Sequence, residues 1–400
     1  MTLANVTSKK RGEKMYSFLL VIIYIAFISL GLPDSLLGSC WPVVHIEMNV
    51  PTSYMGIVSM IIAIGTVISS LLSDKLTTKF GTKIVTLVSV FLTTIALFGF
   101  SLSNAFWMLI LFAIPYGLGA GAIDAALNNY VAIHYKAKHM SWLHCFWGVG
   151  TIVSPFIMGF ALKNMNWNAG YRIVGIIQLI ITIFLFATLK VWNVNSNVSS
   201  EETKHIGLFK ALKIRGVIFL LIGFFSYSAL EATSMQWAST YFVEVRGIEA
   251  GDAANFASLF YIGITVGRFL SGFITDKLGD KKMIILGTSI LTIGIVLLLL
   301  PIKSYYVAIS AFVIIGLGCA PIYPCIIHST PLNFGKENSG AIIGIQMASA
   351  YLGTSFMPPL FGLIGGKIGY KIFPIYILIF ASLMIIMIEI TFHITQKKNK

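Results

Sequence analysis

Twelve apolar runs, each long enough to cross a bilayer, leave this chain few ways to fold. Six cover 16–40, 54–73, 84–102, 105–133, 142–162 and 171–191; six more cover 217–243, 253–275, 283–300, 305–328, 340–363 and 373–394. Lipid offers no water to free N–H and C=O groups, so such runs must be helices that satisfy their own backbone. An even number of crossings puts both termini on one side. Composition supports the reading: 57% of the 400 residues are hydrophobic and 11% are charged, against about 25% charged in a soluble chain.

Charge bias gives the orientation. The tails and the loops after even-numbered runs hold most of the 28 Lys and Arg, whereas the opposite loops hold Lys163, Arg172, Arg246, Lys303, Lys367 and Lys371. Positive residues stay inside, which predicts both termini in the cytoplasm of a multi-pass protein of the cell membrane. The net charge of +13 is therefore no sign of nucleic-acid binding, since no basic face forms. The first run is too long for a signal-peptide core and is read as an uncleaved span. The loop 192–216 is polar and splits the chain into halves 1–191 and 217–400, with an interfacial helix expected at 209–215. No loop is long enough for a fused soluble enzyme. Cys40, Cys145, Cys319 and Cys325 fall in or beside apolar runs without metal spacing, and read as small buried hydrophobes.

The halves repeat. Ser70-Leu-Leu-Ser73-Asp74-Lys75 and Phe80-Gly81-Thr82-Lys83 follow the second run; Gly272-Phe-Ile-Thr275-Asp276-Lys277-Leu278-Gly279 follows the eighth. Gly117-Leu118-Gly119 precedes Asp124 by seven residues, as Gly316-Leu317-Gly318 precedes Tyr323. Pro155 with Gly159 is echoed by Pro358 with Gly362. Small residues let helices approach closely. An Asp at a helix end can accept from a neighbouring helix N-terminus, a contact made in one conformation and broken in another. Asp74, Gly81, Gly272, Asp276 and Gly279 are thus the expected gating residues. Two six-span halves of the same topology make a parallel repeat, the transporter arrangement that binds solute between the halves.

The paired loop motif resembles the signature of the major facilitator superfamily. Three stretches further resemble the fucose permease-like sugar–proton symporters, especially their glucose/mannose branch. They are Gly31-Leu-Pro-Asp34-Ser-Leu-Leu-Gly38-Ser-Cys-Trp41-Pro42, the segment from Gly117 to Asn129, and Ser141-Trp-Leu-His144-Cys-Phe-Trp147-Gly148. The resemblance spans the chain. It implies an all-α integral membrane fold of twelve transmembrane helices in two six-helix bundles, and it implies transport driven by a coupling ion.

The polar residues inside the runs are candidates for that work. Asp34 follows Pro33, which loosens the helix, and is either a protonatable group in a cavity or a cap at a helix break. Asp124 lies near mid-depth, with Asn128 one turn on along the same face. An acceptor and an amide together suit a sugar; the alternative is a structural hydrogen bond. The resembling permeases place at Asp124 a Glu that binds proton or sugar. Asn129 points about 100° away from Asn128; it is a substrate candidate or a packing residue. His144 and Trp147 match an amide pair in those permeases, a departure that weakens fucose as the substrate. His144 can donate to a hydroxyl or move a proton, and Trp147 can stack on a ring; both also suit interfacial packing.

In the second half, Glu231 and Arg268 are one acid and one base in adjacent runs: either they form a structural ion pair, or Glu231 touches substrate or exchanges a proton with the help of Arg268. Gln236, Trp237, Tyr323 and Gln346 are the remaining sugar-contact candidates. Pro321 and Pro324 flank Tyr323 and predict irregular backbone there. Glu389 is expected to reach from its helix end toward water.

The leading function is a proton-coupled monosaccharide symporter, acting as a monomer on a small polar solute in the lipid bilayer. No cofactor or metal is expected; the coupling ion is H+ or Na+. The competing reading is a drug or metabolite exporter of the same superfamily. A solute sensor would be expected to carry a long cytoplasmic extension, which this sequence does not show, and His-Glu-x-x-His and Gly-x-Ser-x-Gly are both missing, which speaks against an enzyme.

Overall fold

The structure, a computed structural model, describes residues 3–50, 54–195, 207–248, 250–302 and 304–396. Most of the polar linker at 193–204 and the last lysines lie outside the described residues. Among the described residues the chain is helical, without a strand. The N-terminal part runs α1 (Leu3–Gly31), α2 (Leu36–Glu47), α3 (Met55–Phe80), α4 (Thr82–Leu102), α5 (Phe106–His134), α6 (Ala137–Asn164) and α7 (Trp167–Ala187). The short α8 (Leu208–Leu212) follows the linker and leaves Phe209 exposed. Then come α9 (Val217–Arg246), α10 (Ala250–Leu278), α11 (Asp280–Leu299), α12 (Tyr305–Cys319), α13 (Ile322–Phe334), α14 (Lys336–Ile368) and α15 (Phe373–Gln396).

Twelve crossings result, because α1 with α2 and α12 with α13 each form one broken span. Both breaks fall at prolines. Pro33 lies in the turn between Gly31 and Leu36, and Pro321 caps α13. A proline donates no N–H, so these are the places where a helix ends at least cost.

Lipid-facing and protein-facing stripes separate along single helices. On α3, Ile57, Met60, Ile64, Ile68 and Leu72 are exposed at steps of three and four residues. On α7, Ile176, Ile180 and Ile183 are exposed, whereas Gly170, Val174, Gln178, Ile181 and Leu185 are buried.

Close backbone approach organises the interior, and it is duplicated. The Gly65 and Gly117 backbones touch where α3 crosses α5. Those of Gly263 and Gly316 touch where α10 crosses α12. A methyl on Gly117 would strike the Ile62 carbonyl, and one on Gly316 the Phe260 carbonyl. On the α3 side the approach lets three serines bond across: Ser69 donates to the Gly117 carbonyl at 3.3 Å, Ser70 to Gly121 at 3.1 Å and Ser73 to Ala122 at 3.2 Å. This ladder fixes the stretch of α5 that leads into Asp124.

The two loop motifs also form matching turns, in a register that corrects the sequence alignment. Gly81 ends α3 at φ 80° and Gly279 ends α10 at φ 77°, a region that favours glycine. Each cap N–H donates at 2.8 Å, Gly81 to Thr77 and Gly279 to Thr275. The equivalent positions are therefore Gly81 and Gly279. Asp276 has Thr78 as its counterpart, and Asp74 sits one turn upstream rather than opposite Asp276.

The chain divides into two compact units, Met1–Leu127 with Phe146–His205, and Asn128–Cys145 with Ile206–Lys400. The ends of α5 and α6 nearest the lysine-rich loops, here called the basic side, thus belong to the second unit.

Gly117→Ala and Gly316→Ala are each expected to lower stability by about 1–3 kcal/mol through overpacking. Gly366→Ala, on α14 with open space around it, should be neutral or gain up to about 1 kcal/mol. Thermal unfolding in detergent reads all three.

Candidate functional site

In the first unit the break between α1 and α2 presents Asp34. Tyr116 on α5 donates its hydroxyl to Asp34 Oδ1 at 2.7 Å, and Trp147 on α6 donates Nε1–H to Oδ2 at 2.9 Å. Both carboxylate oxygens are thus served by neutral donors, and Asp34 still keeps accessible surface. Ser35 secures the break by donating to the Thr151 carbonyl at 2.7 Å. Beneath it Gly31 and Gly150 bring α1 and α6 together. Asp34 thus stands exposed at the break with each oxygen bonded to a donor from another helix. Tyr116 was not singled out in the sequence, because one tyrosine among 16 carries no signal. Asp124, further along α5, is buried with 6% of its surface accessible.

The second unit gathers a larger polar cluster. Arg268 on α10 pairs with Glu231 on α9, Nη2 to Oε1 at 2.9 Å, with side chains 4% and 14% accessible. The Tyr227 hydroxyl donates to the Cys319 carbonyl at 3.0 Å and borders the same ion pair. The Tyr323 ring, half-buried at the start of α13, packs against Phe224 at 4.7 Å, Tyr227 at 5.9 Å and His144 at 4.8 Å. His144 Nε2 lies 3.1 Å from Asn128 Oδ1, and both residues are buried. Asn128, His144, Tyr323, Tyr227, Glu231 and Arg268 thus stand in one connected set. It offers donors and acceptors of both kinds beside aromatic faces, with one ion pair that a proton can open.

His144 and Trp147 go to different partners despite sharing a helix face: His144 turns to Asn128 and Tyr323, Trp147 to Asp34. Gln346 on α14 accepts from Thr330 at 2.9 Å, and its Nε2 is buried with no hydrogen-bond partner among the described residues. Trp237 packs elsewhere. Its Nε1 donates to the Pro358 carbonyl at 2.9 Å and its ring stacks on Tyr370 at 5.5 Å over Gly362. Its neighbour Gln236 is exposed.

The gating candidates divide similarly. Asp276 Oδ1 accepts from the Lys138 backbone N–H at 3.3 Å, in the first turn of α6, and Oδ2 lies 3.8 Å from Lys138 Nζ. This is the expected contact of a carboxylate with a helix N-terminus. Trp142 lies against Gly272, where any side chain would collide with the indole, and its Nε1 donates to the Phe269 carbonyl at 3.4 Å. Asn129 accepts from Ser339 on α14 at 2.7 Å. Together these contacts clasp the basic-side ends of α5 and α6 within the second unit. Asp74 is half-buried on α3. Glu389 pairs with Lys281 at 2.9 Å, with 42% of its side chain accessible. Among the described residues no group of three His, Cys, Asp or Glu could hold a metal, and the four cysteines are free.

The model of the Major Facilitator Superfamily matches residues 23–257 and 247–400. The glucose/mannose transporter of Bacillus subtilis is 21% identical, over 94% of each chain. The bypass of stop codon protein 6 of Saccharomyces cerevisiae is 23% identical over 90% of this chain and 79% of its own. Among solved structures, the transporter FucP in the outward conformation has TM-score 0.78 at 15% identity, covering 94% of this chain and 99% of that one. The proton:xylose symporter XylE has TM-score 0.77 at 14% identity, covering 94% of each.

Replacing Asp34 by Asn removes one acceptor, so Tyr116 or Trp147 loses its bond. The expected cost is about 0.5–1.5 kcal/mol, the net worth of one hydrogen bond, rising to about 1–3 kcal/mol if the buried Tyr116 is the donor left unmade. Thermal unfolding measures the loss, and an altered Trp147 emission reports which donor was freed.

Proposed function

The chain belongs to the Major Facilitator Superfamily, and on that premise we propose that it takes up a monosaccharide, a hexose such as glucose or mannose, together with protons. The observation that carries this reading is the Glu231–Arg268 pair set among Tyr227, Tyr323, His144 and Asn128. A charge within the bilayer is costly, and opposite charges there pair with one another. A proton on Glu231 cancels half of that pairing and frees Arg268 donors. Sugar hydroxyls both donate and accept, which the amide, imidazole and phenol groups around the pair can match. The named sugar–proton symporters of the same fold support the substrate class. Asp34 and Asp124 are further protonatable groups in the proposal, with Gln346 as a sugar contact through its free Nε2.

In this reading the protein is a monomer without cofactor. The halves 1–191 and 217–400 alternate access to the site, and the basic side faces the cytoplasm of the cell. A site rich in amides and charge speaks against the exporter of lipophilic drugs, which needs an apolar cavity.

Uptake of labelled hexoses into proteoliposomes tests the proposal. An inward proton gradient should drive accumulation and a sodium gradient should not; the reverse result would replace the coupling ion, and no hexose uptake under either would remove the substrate class. Asp124→Asn is expected to bring accumulation down to the equilibrium level while counterflow exchange persists. Normal accumulation in that variant would exclude Asp124 from coupling.

A further inference from the structure

The second unit holds a histidine that no step above uses. His328 lies on α13, near the basic-side helix ends. Its Nδ1 is 2.7 Å from Oδ2 of Asp280, the first residue of α11, and its Nε2 is 3.3 Å from the carbonyl oxygen of Tyr135 just past the end of α5. A carbonyl and a carboxylate both accept. A neutral imidazole has one N–H and serves one of them, turning a lone pair toward the other; only the imidazolium, with an N–H on each nitrogen, serves both.

The surroundings put the proton on the ring rather than on the carboxylate. The Asp280 side chain is only 8% accessible, and a buried carboxylate needs a compensating charge. It also sits at a helix N-terminus, which favours the ionised form. Other charges near this place are engaged otherwise. Lys281 pairs with Glu389, and Asp276 takes the Lys138 amide. His134 Nδ1 faces the Tyr130 carbonyl at 2.9 Å, and His139 packs edge-on against Tyr135 and Trp142. Lys336 acts on His134 from α14, and Cys325 faces Asp280 from one turn before His328.

The bridge joins two parts of the chain. Tyr135 follows the fourth crossing, whereas Asp280 and His328 belong to the ninth and tenth. It therefore lies in the same clasp as Asn129–Ser339, Asp276–Lys138 and Trp142–Gly272. The first loop motif has no such device: the residue after its cap glycine is Thr82, where the second has Asp280.

We propose that His328 is a proton-binding site separate from the transport carboxylates, and that its proton fastens α5 to α11 and α13 on the basic side. Loss of the proton turns the Nε2 lone pair against the Tyr135 carbonyl and loosens the clasp. The basic side then opens more readily as pH rises there, whatever solute is carried.

Spin labels on Lys136→Cys and Leu332→Cys, both exposed positions, test this in nanodiscs after the four native cysteines are replaced. Distance distributions are recorded at pH about 6 and about 8, on either side of the imidazole range. The expected result is a shift toward longer separations at the higher pH. His328→Gln and Asp280→Asn should abolish the shift, and His134→Gln and His139→Gln should retain it. A parent protein that does not respond, or a shift that persists in His328→Gln, overturns the proposal. Should either bridge variant misfold, nitrogen NMR of labelled histidine in the parent decides: two protonated nitrogens on His328 at the lower pH support the bridge, and a neutral ring there refutes it.

Discussion

Helices in lipid gain nothing from hiding apolar side chains from apolar tails, so something else must hold them together. Here it is backbone against backbone. Gly65 on Gly117 and Gly263 on Gly316 bring helix axes close enough for dispersion contacts along their length. Ser69, Ser70 and Ser73 then reach the carbonyls of α5. Close helix approaches of this kind set the placement of several polar groups. Asp124 is set by the serine ladder, Asp34 by the α1–α6 contact at Gly31 and Gly150, and Tyr323 by the α10–α12 crossing that precedes it.

On this repeated frame the acids are each stabilised differently. Asp34 receives two neutral donors, Glu231 an arginine, Asp280 a histidine and Asp276 a helix N-terminus. The differences matter because they set what opens each contact. Proton uptake by the acid weakens the arginine pair, proton loss by the ring weakens the histidine bridge, and withdrawal of a helix end breaks the capped carboxylate without any titration. A scaffold of two similar halves can therefore respond unequally at its two ends.

Much of the architecture was legible in the sequence because lipid allows so few alternatives. Twelve apolar runs had to be helices, and the prolines at 33 and 321 mark the two breaks. The Glu231–Arg268 pair followed from one acid and one base in neighbouring spans. What failed was finer. The shared Asp-Lys pattern suggested that Asp74 and Asp276 correspond, yet the positive-φ glycines that end the helices align Asp276 with Thr78. A side-chain motif can drift by one turn along a helix, whereas a cap cannot move without changing the helix length. Tyr116, Ser339 and His328 were illegible for another reason: each matters through a partner far away in the chain, and residue type alone does not announce it. His144 and Trp147 show the same limit, since helical spacing gave them a common face but not a common neighbour.

The buried arginine also bears on how the protein is made. Among the described residues ten spans are long and apolar enough to enter a membrane on their own merits, and α10 carries Arg268 buried within its length. An arginine near the middle of a span adds roughly 2.5–3.5 kcal/mol to the cost of leaving the translocon. Its counter-charge is on the preceding helix, 37 residues upstream, already synthesised when α10 emerges. The order of synthesis thus supplies the acid before the base that needs it.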